Sequence, residues 1–455
     1  MKVVIVGAGE VGFHIASHLA LENKDVLVID KNAEALRRVS DHLDVQIIQG
    51  AGSSPEVLEE AGIQSADILL AVTDSDEANL VACLVANIIS PVTTKLARIR
   101  DASYDGYDDL FRDKPPHIDT VINPEIEVVK TIQRMMAVPG AVDVADFADG
   151  RLKFVGIHLA ENHRFTGAQL SELPLRAGEL RPLVAAIQRD DELIIPRGTD
   201  RLLPGDRLYF ISESHMLEET LGLFEKQVQA LHRALIVGGG RLGYRLAKVL
   251  EVQEGASCKI IEKDPRRCEF LAERLDKTVV LLGDGSDQRL LAEENVGDMD
   301  VVVTLTNDEE TNILTSLLVK RMGVRKCITK ISKFSYFPLM NTIGIDQVVS
   351  PRLSAIDSIL QHVRQGKVLS AFSFKGEQAE VLEAVALETS DIVSKPLKDI
   401  KFPKGALLVG IMHKDQIIIP TGNTVVSPHD RIIIVARREA IPRIEKILAV
   451  KLEYF

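Results

Sequence analysis

The 455-residue chain contains no tryptophan, and aromatic residues make up only 4% of it. Its cores must be aliphatic, built from Val, Ile, Leu and Ala, a composition that suits buried parallel sheets. Cysteine is scarce: Cys83, Cys258, Cys268 and Cys327 are the four, none in a CxxC pair and none beside a histidine cluster. That argues against a zinc site or a disulfide framework, and it fits buried apolar thiols in a reducing compartment. An excess of positive charge is missing too. The formal net charge is −12, which speaks against a general nucleic-acid binder, because phosphate contacts need a basic face. No apolar run approaches the ~18–20 residues of a membrane-spanning helix, so action at a membrane would need another anchor. The opening run Lys2-Val3-Val4-Ile5-Val6 is cut short by glycines and reads as a first strand rather than a secretory leader.

What remains is ordinary globular material, 46% hydrophobic and 26% charged. At about 100–200 residues per domain it suffices for two to four domains.

The chain repeats itself at an offset of roughly 230 residues. Val3-Val4-Ile5-Val6-Gly7-Ala8-Gly9-Glu10-Val11-Gly12 has its counterpart in Ala234-Leu235-Ile236-Val237-Gly238-Gly239-Gly240-Arg241-Leu242-Gly243. Each is an apolar run that ends in GxGxxG and continues into a helical pattern. Four further apolar runs match downstream, ending at Asp30 and Glu262, at Gly50-Ala51-Gly52-Ser53 and Gly283-Asp284-Gly285-Ser286, at Thr73-Asp74 and Thr306-Asn307, and at Arg98-Ile99-Arg100 and Lys330-Ile331-Ser332. Strands that are apolar on both faces and alternate with helices predict an α/β fold, a tandem duplication of a Rossmann-like doubly wound parallel sheet.

After each such unit the rhythm changes to short strands broken by turns. Ile194-Ile195-Pro196 and Leu203-Pro204-Gly205-Asp206-Arg207 in the first half match Ile418-Ile419-Pro420 and Ser427-Pro428-His429-Asp430-Arg431 in the second. These predict a small α+β domain behind each Rossmann unit. The expected division is 1–138, 139–229, 230–365 and 366–455.

A lone GxGxxG is a weak motif. Here it occurs twice, each time between a strand and a helix. Gly7 and Gly238 permit the tight turn, Gly9 and Gly240 let backbone approach a pyrophosphate, and Gly12 and Gly243 allow close helix–strand packing. The phosphates would lie at a helix start, with Glu10, Val11, Arg241 and Leu242 around them. Asp30 and Glu262 stand where a carboxylate accepts from ribose hydroxyls and repels a 2′-phosphate, so NAD or an adenosine nucleotide is expected over NADP. The alternative is a fold that keeps its glycines for packing only.

The copies differ in charge. Arg241 can pair with phosphate oxygens, whereas Glu10 disfavours a triphosphate unless Arg98 and Arg100 compensate. Arg98, Arg100 and Lys330 are either ligand contacts or solvated charges. Thr73, Asp74, Thr306 and Asn307, with Asn79 and Asn312 further on, serve either ligand contact or capping. No catalytic constellation is shared by the small domains. His14 and His18 fit surface or packing roles, His158, His163, His413 and His429 lack matched partners, and GxSxG, HExxH and Walker loops are missing. The residues favour a ligand sensor over an enzyme; a tandem NAD-dependent oxidoreductase and a scaffold with degenerate sites are the alternatives.

The doubled GxGxxG unit, its Gly-Ala/Asp-Gly-Ser segment and its small domain closing on a Pro-x-Asp-Arg strand resemble tandem RCK modules. Over the whole chain this arrangement resembles the peripheral subunits of bacterial Trk potassium uptake systems. The resemblance implies Rossmann domains that bind NAD(H), with ATP or ADP as alternative ligands. It implies a homo-oligomeric ring on the cytoplasmic face of the cell membrane, seated on a TrkH-like integral membrane potassium channel subunit and gating potassium uptake. It carries Gly7, Gly9, Gly12 and Asp30 over as the first site, and Gly238, Gly240, Gly243 and Glu262 as the second. Asp284 stands where the family places an acid to meet adenine; the first copy has Ala51 there.

Overall fold

A computed structural model of the chain describes residues 1–91, 93–138, 140–173, 182–190, 192–225, 232–345, 347–363, 367–374 and 378–448. Of the domain boundaries expected from the sequence, those near 230 and 366 lie outside the described residues.

The first 138 residues run β1 (Lys2–Val6), α1 (Glu10–Leu21), β2 (Asp25–Asp30), α2 (Ala33–His42), β3 (Gln46–Gln49), α3 (Pro55–Glu60), β4 (Ile68–Ala71), α4 (Asp76–Ile89), β5 (Thr94–Arg98), α5 (Asp108–Asp113), β6 (Thr120–Ile122) and α6 (Pro124–Ala137). The strands form a six-stranded sheet in the order β3-β2-β1-β4-β5-β6, and every pairing in it is parallel. Val3, Val4 and Ile5 are fully buried, as a strand covered by helices on both faces requires. The order reverses between β1 and β4, which opens a crevice at the carboxyl ends of those two strands.

The next segment holds β7 (Ala141–Phe147), β8 (Leu152–His158), β9 (Leu183–Arg189), β10 (Glu192–Ile194), β11 (Arg207–Glu213) and α7 (Leu217–Leu223). Its strands form an antiparallel sheet in the order β10-β9-β11-β8-β7. The Pro-x-Asp-Arg turn is held by its acid: Asp206 accepts from Leu203 N at 2.8 Å and grips the Arg189 guanidinium of β9 at 2.9 Å.

The second copy runs β12 (Arg233–Val237), α8 (Arg241–Val252), β13 (Ser257–Glu262), α9 (Pro265–Arg274), β14 (Val279–Leu282), α10 (Gln288–Glu293), β15 (Val301–Thr304), α11 (Glu309–Arg321), β16 (Cys327–Lys330), α12 (Phe337–Thr342), β17 (Gln347–Val349) and α13 (Pro351–Val363). Its sheet order, β14-β13-β12-β15-β16-β17, reproduces the first. The chain continues through β18 (Lys367–Phe374), β19 (Ala379–Val385), β20 (Ala406–His413), β21 (Gln416–Ile418), β22 (Arg431–Arg437) and α14 (Ile441–Leu448). These strands form an antiparallel sheet in the order β18-β19-β22-β20-β21. Asp430 repeats the part of Asp206, accepting from Ser427 N at 2.8 Å and meeting His413 of β20 at 2.6 Å.

The compact units do not follow the four contiguous stretches. One unit is residues 1–127 with 351–364, and the other is residues 128–350 with 365–455. In the first unit α13, which follows the second copy's last parallel strand, packs along α1 of the first copy. In the second unit the continuation of α6 places Val128, Val129, Ile132, Met135 and Met136 in one core with Ala234, Ile236, Leu246 and Ile260 of the second copy. Thus the helix that ends each Rossmann-like segment packs against the other copy.

Within the second unit the two antiparallel sheets share a core. Phe154 and Tyr209 of the first stack at 5.4 Å, and Phe374 of the second lies 4.6 Å from Tyr209. Around this core the Arg431 guanidinium joins Asp149 and Glu383, Glu383 accepts from Ala148 N at 3.2 Å, and Arg151 meets Asp415 at 2.8 Å. Among the described residues no helix is long and apolar enough to cross a membrane, and no group of three His, Cys, Asp or Glu is placed to hold a metal ion.

Candidate functional site

Two crevices match residue for residue. In the first, Gly7 follows β1 with φ +117°, and its counterpart Gly238 has φ +109°; side chains rarely adopt either value. A methyl group at Gly12 would collide with the carbonyl oxygen of Gly7, and one at Gly243 with that of Gly238. Those four glycines are required by the fold itself. Gly9 and Gly240 are different. Both are exposed and extended, with φ −65° and −61°, and a methyl on either would meet no protein atom within 4 Å.

Gly9 and Gly240 are also the N-caps of α1 and α8, and no side chain caps either helix. By contrast Asn32, Ser75, Asp264 and Asp308 cap α2, α4, α9 and α11 with side-chain oxygens. A helix start without a side-chain acceptor presents N–H donors and the positive end of the helix dipole, which together favour an anion. The buried residues Val11 and Leu242 anchor these first turns to the sheet.

The acids at the ends of β2 and β13 reach back to the glycine loops. Asp30 accepts from Ala8 N at 2.6 Å and from Asn32 N at 2.8 Å. Glu262 accepts from Gly239 N at 2.6 Å and from Lys263 N and Asp264 N at 2.8 and 2.9 Å. Each carboxylate therefore stands beside its glycine loop, at the end of the second strand of its sheet.

The loops after the fourth strands are held from behind. Asn79 is fully buried; its Oδ1 accepts from Thr73 N at 2.9 Å and Thr73 Oγ1 at 2.7 Å, and its Nδ2 donates to Arg98 O at 2.8 Å. Asn312 makes the same bonds to Thr306 and to Lys330 O. These asparagines act on the framework, tying the two loops that border the crevice. Asp76 and Glu309, which the sequence reading passes over, complete the tie. Asp76 accepts from the N–H groups of Arg100 and Asp101 at 2.9 and 2.8 Å, and Glu309 from those of Ser332 and Lys333 at 3.1 Å. Their signal is an acid at the first turn of the helix after the fourth strand in both copies.

Charge distinguishes the crevices. In the first, Arg98 stands 3.6 Å from the exposed Asp74, and Arg100 donates to the carbonyl oxygen of Asp74. Burial, then the charge of Arg100, lowers the Arg98 pKa; Asp74 and Asp76 act the other way. Glu10 binds Arg38 at 2.6 Å and Arg352 at 3.7 Å. Burial works to raise the Glu10 carboxyl, and the Arg38 hydrogen bond with the Arg38, Arg352 and His14 charges outweighs it, holding Glu10 below the usual carboxylate range. Arg38 and Arg352 escape sequence reading because they come from α2 and from the far end of the chain.

In the second crevice Arg241 and Asn307 are exposed, and Lys330 is half-buried at the end of β16. The loop is braced by Arg267, whose Nε donates to Gly239 O at 2.6 Å while its guanidinium lies 4.2 Å over Phe270. Asp284 turns to Ser286, whose hydroxyl and N–H donate to it at 2.7 and 2.8 Å and hold its pKa down.

Comparison with known proteins finds the same duplication. The TrkA-N domain model matches residues 3–124 and 234–351, and the TrkA-C domain model matches residues 154–225 and 381–449. The chain is 38% identical over 459 residues to a Trk system potassium uptake protein TrkA of Azorhizobium caulinodans, with all of both chains covered. It is 37% identical, again over all of both chains, to the protein of that name from Halomonas elongata. Among solved structures, the GsuK RCK domain superposes with a TM-score of 0.60 at 17% identity, covering 98% of this chain and 94% of that one. The GsuK channel bound to NAD gives 0.59 at 16% identity, covering 98% and 78%. The doubled RCK fold is therefore established, and the chain belongs to the TrkA family of Trk potassium uptake proteins.

Proposed function

We propose that this protein is the nucleotide-sensing regulatory subunit of a potassium uptake system. Its two crevices hold NAD(H), with ATP or ADP as alternative ligands, and their occupancy sets the state of a ring of copies on the cytoplasmic face of an integral membrane potassium channel subunit of the TrkH kind. The observation that carries this reading is the pair Gly9 and Gly240. Both are glycines at a backbone angle any residue adopts, in open space, at a helix start no side chain caps. Folding does not demand glycine there, whereas a pyrophosphate lying against the backbone does.

The cofactor-binding set we assign to the first crevice is Gly7, Gly9, Glu10, Val11, Gly12, Asp30, Thr73, Asp74, Arg98 and Arg100. The corresponding set in the second is Gly238, Gly240, Arg241, Leu242, Gly243, Glu262, Asp284, Thr306, Asn307 and Lys330. The TrkA names of its relatives and the NAD bound in a solved channel of the same fold support the nucleotide reading from which these sets are assigned. Ligand control of gating requires different affinities in two ring states. A swing from 1:99 to 99:1 takes about 5.5 kcal/mol, which a few sites sharing one ring supply.

The test is single-channel recording of the channel subunit with this protein added while NAD, NADH, ADP and ATP are exchanged. Open probability that depends on the nucleotide is the expected result, and open probability indifferent to all four overturns the proposal. Steady consumption of NADH with a small-molecule substrate would instead make it an oxidoreductase.

A further inference from the structure

The duplicated loops carry opposite charges at one position, Glu10 in the first copy and Arg241 in the second. The helices that follow the two sheets also differ by a charge exchange, with Glu125 after Pro124 and Arg352 after Pro351. In the first compact unit the packing of α13 along α1 brings Arg352 within 3.7 Å of Glu10. The Arg352 charge is also felt at Arg98, on the other wall of the crevice. Arg352 therefore stands beside the first turn of α1, which follows the glycine loop, on the side of the sheet where ligands of open α/β folds lie.

We propose that Arg352, delivered by the second copy's last helix, reads the terminal phosphate of a nucleotide in the first crevice, with Glu10 as its resting counter-charge. The inference rests on the reading of that crevice as a nucleotide site. A free di- or triphosphate draws the half-exposed guanidinium from Glu10, because a guanidinium–phosphate fork is stronger than a solvated ion pair at 3.7 Å. Glu10 does not then face the phosphate as a bare acid, since Arg38 still binds it at 2.6 Å. A dinucleotide has ribose on both sides of its pyrophosphate and offers Arg352 no terminal group. The first crevice thereby separates ATP from NAD, and Glu10 no longer argues against a triphosphate.

Photolabelling of the full chain with 8-azido-ATP tests this, with peptide mapping to tell label in residues 1–127 from label in residues 233–350 and with NAD as competitor. Arg352→Gln should weaken ATP at the first crevice at least about tenfold, leave its competition by NAD within about twofold, and leave the second crevice alone. Arg352→Lys should recover part of the loss, and Glu10→Gln should tighten ATP. ATP labelling of the first crevice unchanged in Arg352→Gln overturns the inference while the nucleotide site stands. Equal loss of ATP and NAD in Arg352→Gln also overturns it, because that marks a helix that only supports the crevice. Wild-type protein that takes no label in residues 1–127 removes the nucleotide reading and this inference together.

Discussion

Gly9 and Gly12 lie one helical turn apart and should respond oppositely to a methyl group. Gly9→Ala meets no neighbour, so stability should change by no more than about 1 kcal/mol, the range of N-cap and glycine effects at compatible angles. Nucleotide affinity at the first crevice should nevertheless fall at least tenfold by calorimetry, with Gly240→Ala doing the same at the second. Gly12→Ala forces its methyl onto the Gly7 carbonyl and should destabilise the fold by several kcal/mol in denaturant unfolding. Retained affinity in Gly9→Ala would overturn the reading of these glycines as the place where a pyrophosphate meets the backbone. Thiols give a second check. Burial pushes Cys83 and Cys258 up to about 12, and Cys327 is buried as well. Only Cys268 is partly accessible, its pKa also raised by burial and then by Glu262, Asp264 and Glu269. A thiol reagent at pH 8 should modify Cys268 slowly and the other three only on unfolding.

The secondary elements were largely legible, because each strand is a short apolar run with a punctuating glycine or proline and each copy vouches for the other. The glycines and the acids Asp30 and Glu262 could be placed for the same reason: backbone turn, helix start and strand end are local. What a helix end binds at a distance was not legible. Lys326, just ahead of β16, is buried and donates to the carbonyl oxygens of Met135 and Val138, closing the C-terminus of α6. Burial lowers its pKa to about 8, against 10.5 in the unfolded chain. Between those values the unfolded state binds more protons than the folded one, so stability rises with pH across the window. Wild type should gain up to about 3 kcal/mol on Lys326→Met from pH 7 to pH 10.5. A stability difference that stays flat with pH would place Lys326 in water. The asparagine ties belong to this scale too. Asn79→Ala strips Thr73 and the Arg98 carbonyl of their partners and should cost about 2–4 kcal/mol. Hydrogen exchange should quicken first at residues 73–76 and 98–101.

On the scale of the whole chain, the duplication supplied the architecture but not which helix serves which copy. Both α6 and α13 begin with proline after the sixth strand of their copy and bury apolar residues. Nothing in periodicity distinguishes a helix packed on its own sheet from one packed on its twin, so the exchange of α6 and α13 was not legible in the sequence. The exchange matters because α13 rests on α1, the helix whose first turn lies in the nucleotide site we propose. Ordering of that turn should be felt in α13, which packs along the same helix. Hydrogen exchange with and without saturating NADH should therefore show added protection in residues 351–363 as well as in the glycine loop. Gly9→Ala should abolish both effects together, and Gly240→Ala should leave them in place. Protection confined to residues 7–13 would mean that occupancy stops at the crevice wall, and that the exchanged helix is a fastening without a part in signalling.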